Sequence, residues 1–258
     1  HRIATRLNSF RAHGSHGLTA EEAVAAVARV AGITALELNY PQHFSGGEVA
    51  LLAKASELDL AVTALNLRFE GPDFLAGAFT HPTAANRERA IGIAIEAMDL
   101  AARRGIDHVI LWMGPDGFDY PFQADHAALW EMQIEGFRRV AARRPAVRVS
   151  VEYKPSEPRR TSLIRTMADA LLAVRDVALP NFGVTLDFCH ALIAGEQPAA
   201  AAALALREGK LFGVHLNDGY GPADDGLMVA SVHPWQTLEL LWVLRQGGSR
   251  PGAVEPVD

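Results

Sequence analysis

The sequence predicts a single (β/α)₈ barrel, an α/β fold in which eight parallel strands alternate with helices. Two observations lead to this prediction. Short apolar runs alternate with helical patterns along all 258 residues, without a linker-like stretch or a repeat, and such alternation is typical of parallel α/β folds. Three of the apolar runs end in residues that can bind a metal, and the active site of a barrel lies at the carboxyl ends of its strands. Residues 1–258 are therefore expected to form one domain.

Each predicted strand is an apolar run, as expected for strands that are covered by helices on the outside of a parallel sheet. In chain order the strands are expected at residues 3–10, 33–40, 60–69, 108–114, 147–155, 182–190, 211–218 and 252–258. An open doubly wound sheet is the competing arrangement. It is disfavoured because no Gly-x-Gly-x-x-Gly motif follows the first strand.

The helices are expected between these strands, at about residues 19–30, 47–58, 83–104, 123–143, 161–178, 198–208 and 234–246. Thr19 and Glu22 have the spacing of a capping box at the start of the first helix, and Gly32 follows its end. Pro180 follows the fifth helix, and the alanine-rich stretch 198–208 is helical because alanine is the best helix former. No eighth helix follows the last predicted strand, so we expect that the chain is either truncated before this helix or has a disordered tail.

The composition excludes several classes of function. The formal net charge is −6, whereas a protein that binds nucleic acid usually presents a basic face. No apolar run reaches about 18 residues and no leader is recognisable, so neither a membrane span nor a signal peptide is expected. Cys189 is the single cysteine, which excludes an internal disulfide bond and fits a cytoplasmic protein.

Carboxylates and an imidazole mark the ends of three successive strands. Glu152, Asp187 and His215 each follow an apolar run, and two carboxylates with one imidazole suit a divalent cation. A fourth ligand is expected from the last strand, where Glu255 and Asp258 are both candidates. The expected ion is Mn²⁺, with Mg²⁺, Co²⁺ and Zn²⁺ as alternatives.

Other side chains near these strand ends have two interpretations each. Lys154 lies two residues after Glu152 and should point to the same side, where it either polarises a carbonyl or is simply solvated. His190, three residues after Asp187, is either a functional group that faces the mouth or a core histidine. Trp112 is either a wall against the apolar face of a sugar or ordinary packing.

Several stretches resemble the xylose isomerases. VSVEYKPSEPR (149–159) is similar to their Glu-Pro-Lys-Pro-Asn-Glu-Pro-Arg signature, and residues 77–114 resemble their Gly-Phe-Thr segment, long helix and tryptophan strand. TLDFCH (185–190) resembles their acid-x-x-His pair. Residues 215–239 are similar to the rhamnose isomerase branch, which has a His, an Asn and an Asp-rich loop. The sequence therefore resembles the xylose isomerase-like barrel superfamily from about residue 60 to 240.

The resemblance implies a role for each matching residue. Glu152, Asp187 and His215 are expected to bind a structural metal, and His190 and Asp224 a second, catalytic metal. Lys154 is expected to contact O1 or O2 of the sugar, and Trp112 to pack against the sugar. His215 and Asn217 are further expected substrate contacts. Two departures stand out. The family has Asp-x-Asp where this chain has Asp-Asp-Gly at 224–226, so one ligand of the second metal is missing. The acid on the last strand is Glu255 or Asp258.

The implied function is a metal-dependent aldose–ketose isomerase that acts on an unphosphorylated or singly phosphorylated monosaccharide. In that reaction Lys154, His190 and Glu152 are the expected catalytic residues. The first alternative is a ketose 3-epimerase, in which Glu152 and Glu255 bind the metal and act as paired acid and base. A metal-dependent hydrolase similar to apurinic endonucleases and a non-catalytic sugar-binding barrel are further alternatives. The expected binding partner is a small sugar substrate, and the protein itself is expected to form a homodimer or homotetramer.

Overall fold

The computed structural model describes residues 3–10 and 17–248 of the chain. In these ranges the strands are β1 (Ala4–Arg6), β2 (Ala35–Tyr40), β3 (Ala61–Leu67), β4 (His108–Trp112), β5 (Gly117–Phe118), β6 (Arg148–Glu152), β7 (Thr161–Ser162), β8 (Phe182–Asp187) and β9 (Leu211–His215). The helices are α1 (Ala20–Val27), α2 (Glu48–Glu57), α3 (Ala84–Arg104), α4 (His126–Arg143), α5 (Met167–Val177), α6 (Phe188–Ile193), α7 (Pro198–Arg207) and α8 (Pro234–Gly248). Short 3₁₀ helices cover Leu7–Phe10, Gln42–Phe44 and Pro72–Phe74.

Seven of the strands form one parallel sheet in the order β1-β2-β3-β4-β6-β8-β9, while β5 and β7 pair separately. The sheet is curled, because residues on distant strands meet across its interior. His215 on β9 lies 3.0 Å from Glu37 on β2, and Arg6 on β1 lies 3.9 Å from Glu152 on β6. These contacts show the curled, inward-facing arrangement of an α/β barrel.

The two faces of the curled sheet differ in polarity. On β2, Leu36 and Leu38 belong to the hydrophobic core that the sheet forms with the surrounding helices, whereas Glu37 and Asn39 are buried polar residues on the other face. The same alternation runs through β6 and β8, because successive strand residues point to opposite faces. The interior of the barrel is therefore polar and its outer layer is apolar.

The outer layer consists of helices that pack on the sheet and on one another. α1 packs on α2, α3 on α4, α4 on α5, and α7 on α8. The predicted capping box of α1 is confirmed, since the Thr19 side chain accepts a hydrogen bond from the Glu22 amide at 3.2 Å and the Glu22 carboxylate accepts one from the Thr19 amide at 2.8 Å. No helix in the described ranges is long and apolar enough to cross a membrane.

The predicted order of strands and helices is confirmed within the described ranges, but several element ends differ from the prediction. The strands predicted at 147–155 and 211–218 stop at Glu152 and His215, three residues early. The first strand stops at Arg6 because a 3₁₀ helix takes over at Leu7. The sixth predicted strand, 182–190, stops at Asp187, whose side chain accepts a hydrogen bond from the His190 amide and so begins α6. The predicted last strand, 252–258, lies outside the described residues.

The helix predicted at 161–178 begins six residues later, at Met167. Thr161 and Ser162 instead form β7, which pairs antiparallel with β5. This pairing brings the backbones so close that a Cβ added to Gly117 would lie 2.1 Å from the Thr161 carbonyl oxygen. The helix starts only after Thr166, whose side chain accepts a hydrogen bond from the Asp169 amide at 3.1 Å.

Candidate metal centre

The three strand-end residues expected to bind a metal all lie at the carboxyl end of the barrel. Glu152 is the last residue of β6, Asp187 of β8 and His215 of β9, and all three are buried. In the sheet register Asp187 pairs with His215, while Glu152 pairs with Thr185. Asp187 and His215 are therefore direct neighbours across the sheet. Glu152 is the neighbour of Thr185, two residues before Asp187 on β8.

A third buried group joins Glu152 and Asp187 because of the turn from β8 into α6. Asp187 Oδ1 accepts a hydrogen bond from the His190 amide at 3.0 Å, which places the His190 imidazole over the strand ends. His190 Nδ1 lies 3.6 Å from Glu152 Oε1 and 3.9 Å from Asp187 Oδ1. Glu152, Asp187 and His190 each offer a ligand atom, and these atoms lie within 4.8 Å of one another.

His215 lies between two buried carboxylates. Its Nε2 is 3.0 Å from Glu37 Oε2 and its Nδ1 is 3.3 Å from Glu152 Oε2. Burial disfavours the charged imidazolium, but the carboxylates of Glu152 and Glu37 outweigh burial and raise the pKa of His215 to about 10. In return, although burial opposes ionisation of Glu152, the His215 imidazolium holds the pKa of this carboxyl well below its ordinary value.

Unsatisfied polar atoms indicate that this cluster suits a cation. Glu152 Oε2, His190 Nδ1 and His215 Nδ1 are buried and make no hydrogen bond of ordinary geometry among the described residues, although buried polar groups are nearly always paired. Their near contacts are charged groups of the same cluster, since Glu152 Oε2 faces His215 Nδ1 at 3.3 Å and His190 Nδ1 lies 3.6 Å from Glu152 Oε1. All three atoms are of the kinds that bind divalent metals. The donor set therefore fits a divalent ion at the end of β6 and β8.

Lys154, Asp224 and His190 form a second cluster that is continuous with the first. Lys154 Nζ lies 3.0 Å from Asp224 Oδ2 and 3.0 Å from Glu157 Oε2, and His190 Nε2 lies 3.3 Å from Asp224 Oδ2. The hydrogen bond from His190, reinforced by Lys154, holds the pKa of Asp224 well below its ordinary value. A second cation at Asp224 would therefore compete with the Lys154 ammonium.

Two residues that were predicted to contact the substrate have partners within the protein. Asn217 donates to Asp187 Oδ1 and Oδ2 at 3.2 and 3.1 Å and accepts a hydrogen bond from the Cys189 amide at 2.9 Å. Trp112 ends β4, and Lys154 Nζ lies 5.9 Å from its ring centroid. The ring folds back over Gly114, where an added Cβ would lie 2.3 Å from it. The substrate contacts of Asn217 and Trp112 remain predictions.

Glu37 and Glu157 also belong to the site, although neither was predicted to be a site residue. Glu37 is an acid inside an otherwise apolar run, and this anomaly was the available signal. Glu157 lies in the segment 149–159 that resembles the xylose isomerase signature, and it forms an ion pair with Lys154. The two candidate acids of the last strand, Glu255 and Asp258, lie outside the described residues.

Comparison with known proteins assigns the fold to a family. The model of a family described as the xylose isomerase-like TIM barrel matches residues 24–240. This chain belongs to that family. The xylose isomerase of Thermus thermophilus is 32% identical over 155 residues, which are 58% of this chain and 40% of that protein. The chain thus matches well under half the length of this curated relative.

Several solved structures share this fold over nearly the whole chain. A xylose isomerase domain protein from Alicyclobacillus acidocaldarius superposes with a TM-score of 0.72 at 18% identity, covering 100% of this chain and 90% of that one. A D-psicose 3-epimerase from Clostridium cellulolyticum H10 has a TM-score of 0.70 at 17% identity, covering 96% of this chain and 81% of that one. At these identities the likeness shows the fold alone.

Proposed function

We propose that this protein is a divalent-metal-dependent sugar isomerase that interconverts an aldose and a ketose. The observation that carries the proposal is the buried group formed by Glu152, Asp187 and His190, linked through Asp224 to the Lys154 ammonium. Such a site combines cation ligands with a positive charge beside them, which is what the polarisation of a sugar carbonyl requires.

Glu152 and Asp187 would hold the ion, with His190 or His215 as the imidazole ligand. Mn²⁺ is the ion we expect, because two carboxylates with an imidazole suit it. When bound, the ion would act as a Lewis acid on adjacent oxygens of the sugar. A further carboxylate from Glu255 or Asp258 would complete the ligand set.

The remaining residues would orient the sugar and stabilise charge on it. Lys154 would donate a hydrogen bond to the oxygen at C1 or C2, where negative charge develops as hydrogen moves between these carbons. Asp224 would keep that ammonium charged, since its carboxylate raises the pKa of Lys154 against the effect of burial. Trp112 would cover the apolar face of the sugar, and Asn217 would hold Asp187 in place.

The metal part of the proposal is tested by Asp187→Asn. The amide oxygen of asparagine can still accept the hydrogen bond from the His190 amide that begins α6. The hydrogen bond from Asn217 to the other carboxylate oxygen is lost, but the fold should persist while a charged metal ligand is removed. We expect the dissociation constant for Mn²⁺, measured by calorimetry, to rise at least about 100-fold. Asp125→Asn is the matched control, because Asp125 caps α4 in the same manner, accepting from the Ala128 amide at 3.1 Å. Equal Mn²⁺ affinity in the two variants would refute the proposed metal centre.

The reaction is tested by turnover of aldoses and ketoses in D₂O with Mn²⁺, followed by NMR. Aldose–ketose conversion, with hydrogen transferred or exchanged at C1 and C2, is the expected result. Deuterium at C3 of a retained ketose would overturn the isomerase in favour of a 3-epimerase, with Glu152 as one of its bases. Cleavage of abasic DNA without sugar turnover would overturn it in favour of a hydrolase, an outcome that the net charge of −6 disfavours.

A further inference from the structure

A fully buried glutamine lies behind the metal centre. Gln133 is on α4, its side chain is 0% exposed, and neither its amide oxygen nor its amide nitrogen has a hydrogen-bond partner among the described residues. An amide buried without partners destabilises the folded protein, because it loses its hydrogen bonds to water and gains none in return. The position of this side chain therefore calls for a ligand.

A small cavity provides the space for that ligand. Gln133 lines it together with Ser162 on β7, whose hydroxyl is also buried without a partner in the described part of the chain. Glu152 and Lys154, at the end of β6, form another part of the wall. The volume open to the centre of a water molecule is about 10 Å³, which is room for about one water.

The chemistry of the lining restricts what can bind there. The Gln133 amide presents both an acceptor and a donor, so its ligand must donate one hydrogen bond and accept another. A bare cation can only satisfy the oxygen, and an anion can only satisfy the nitrogen. We propose that Gln133 and Ser162 bind one ordered water molecule in this cavity.

The water site would also position the end of β6. The segment after β6 folds back on it, since the Lys154 amide donates to the Ile164 carbonyl at 3.3 Å and the Ser162 amide donates to the Pro155 carbonyl at 3.0 Å. A water held between α4 and β7 ties this fold-back to the helix layer. Gln133 is then a positioning residue for Glu152 and Lys154, and this consequence rests on the proposed function.

The first test observes the water directly in the unaltered protein. We expect the Gln133 side-chain amide to show an NMR cross-relaxation peak to water with the negative sign of a long-lived complex. The exposed Gln123 amide, whose oxygen accepts from the Asp119 amide at 2.5 Å, is the control and should show only rapidly exchanging hydration. A Gln133 amide without a water peak would overturn the water site.

The second test is a double-mutant cycle on stability, with Gln133→Leu, Ser162→Ala and both together. If the two residues share one water, each single variant lowers the urea midpoint and the double variant falls little below the lower single variant. Thr161→Val, which removes the neighbouring hydroxyl on β7, should leave the midpoint nearly unchanged. A higher midpoint for Gln133→Leu would overturn the proposal, because it would mean that two unsatisfied atoms had been removed.

The positioning role is tested by the affinity for Mn²⁺ alone. Gln133→Leu should raise the Mn²⁺ dissociation constant several-fold relative to Thr161→Val, far less than Asp187→Asn does. An unchanged constant in Gln133→Leu, while Asp187→Asn loses the metal, would overturn the positioning role and leave the proposed metal centre standing. Wild-type protein without Mn²⁺ affinity would instead overturn the proposed function, and the water peak and stability cycle would still decide the water site.

Discussion

Replacing Asp116 should strongly destabilise the protein, because its buried carboxylate holds a loop at the mouth of the barrel in place. This carboxylate is 1% exposed and accepts hydrogen bonds from three consecutive backbone amides. Its Oδ1 is 2.6 Å from the Ala78 nitrogen and 3.1 Å from the Thr80 nitrogen, and its Oδ2 is 3.1 Å from the Phe79 nitrogen. The Thr80 hydroxyl adds a fourth bond at 2.7 Å. Asp116 thus fixes the loop that follows β3.

The magnitude follows from the groups that would lose their partner. Asp116→Ala leaves three buried backbone N–H groups, each of which costs about 1–3 kcal/mol when unsatisfied. Water that enters the space of the lost carboxylate recovers part of this cost, so we expect a loss of about 3–4 kcal/mol in the free energy of unfolding. Thr80→Val removes one hydrogen bond and should cost about 1 kcal/mol.

Asp116→Asn separates the hydrogen bonds from the charge. Burial raises the pKa of Asp116 despite its four hydrogen bonds, so loss of the charge relieves some desolvation cost. The asparagine amide nitrogen, however, faces the Phe79 N–H as a second donor. We expect a stability between those of Thr80→Val and Asp116→Ala.

The assay is equilibrium unfolding in urea, in which the three variants should share one m-value and differ in midpoint. Asp116→Ala as stable as Thr80→Val would refute the reasoning, since three backbone amides would then have found other partners. A change in m-value would mean that the native loop had already opened.

Three further outcomes are expected. Burial opposes ionisation of Asp218, but hydrogen bonds from His233 lower its pKa to about 2. The lower pKa stabilises the folded state by about 2 kcal/mol, and this stabilisation is complete above about pH 4 and is lost as the pH falls to 2. Asp218→Asn should therefore flatten the acid limb of a plot of the free energy of unfolding against pH. Glu37→Gln removes one of the two carboxylates beside His215, so the NMR titration midpoint of His215 in metal-free protein should fall below about 10; an unchanged midpoint would contradict this pairing. Mn²⁺ at about 100 times its dissociation constant should stabilise the wild type by about 2.7 kcal/mol and Asp187→Asn hardly at all.

Much of the fold was predictable because strand and helix periods are local properties of the sequence. The order of strands and helices in the described ranges needed only apolar runs, capping residues and glycines. The polar interior could also have been predicted, because β2 has the alternating sequence Leu-Glu-Leu-Asn at residues 36–39. The predicted strands were instead interpreted as uniformly apolar runs. Reading the alternation would have identified Glu37.

Features that depend on tertiary contacts were not predictable. Glu37 meets a histidine 178 residues away, and no local pattern carries such a pairing. β5 and β7 have two residues each, too few for a period. The position of His190 depends on Asp187 serving as both strand end and helix cap, which ends the strand three residues before the predicted boundary. A sequence motif therefore predicts the geometry of a site least well where one element ends and the next begins.

Proton release on metal binding would identify the imidazole ligand. In the metal-free protein His215 has a pKa of about 10 and is therefore protonated at pH 7, whereas an imidazole binds a metal only in its neutral form. Binding through His215 must then expel a proton, and affinity must rise with pH until this group is neutral. Calorimetry in two buffers of different ionisation enthalpy counts the protons. If His215→Gln releases one proton fewer than the wild type, His215 is a ligand. If the count is unchanged, the imidazole ligand is His190, which lies with Glu152 and Asp187 in the described group.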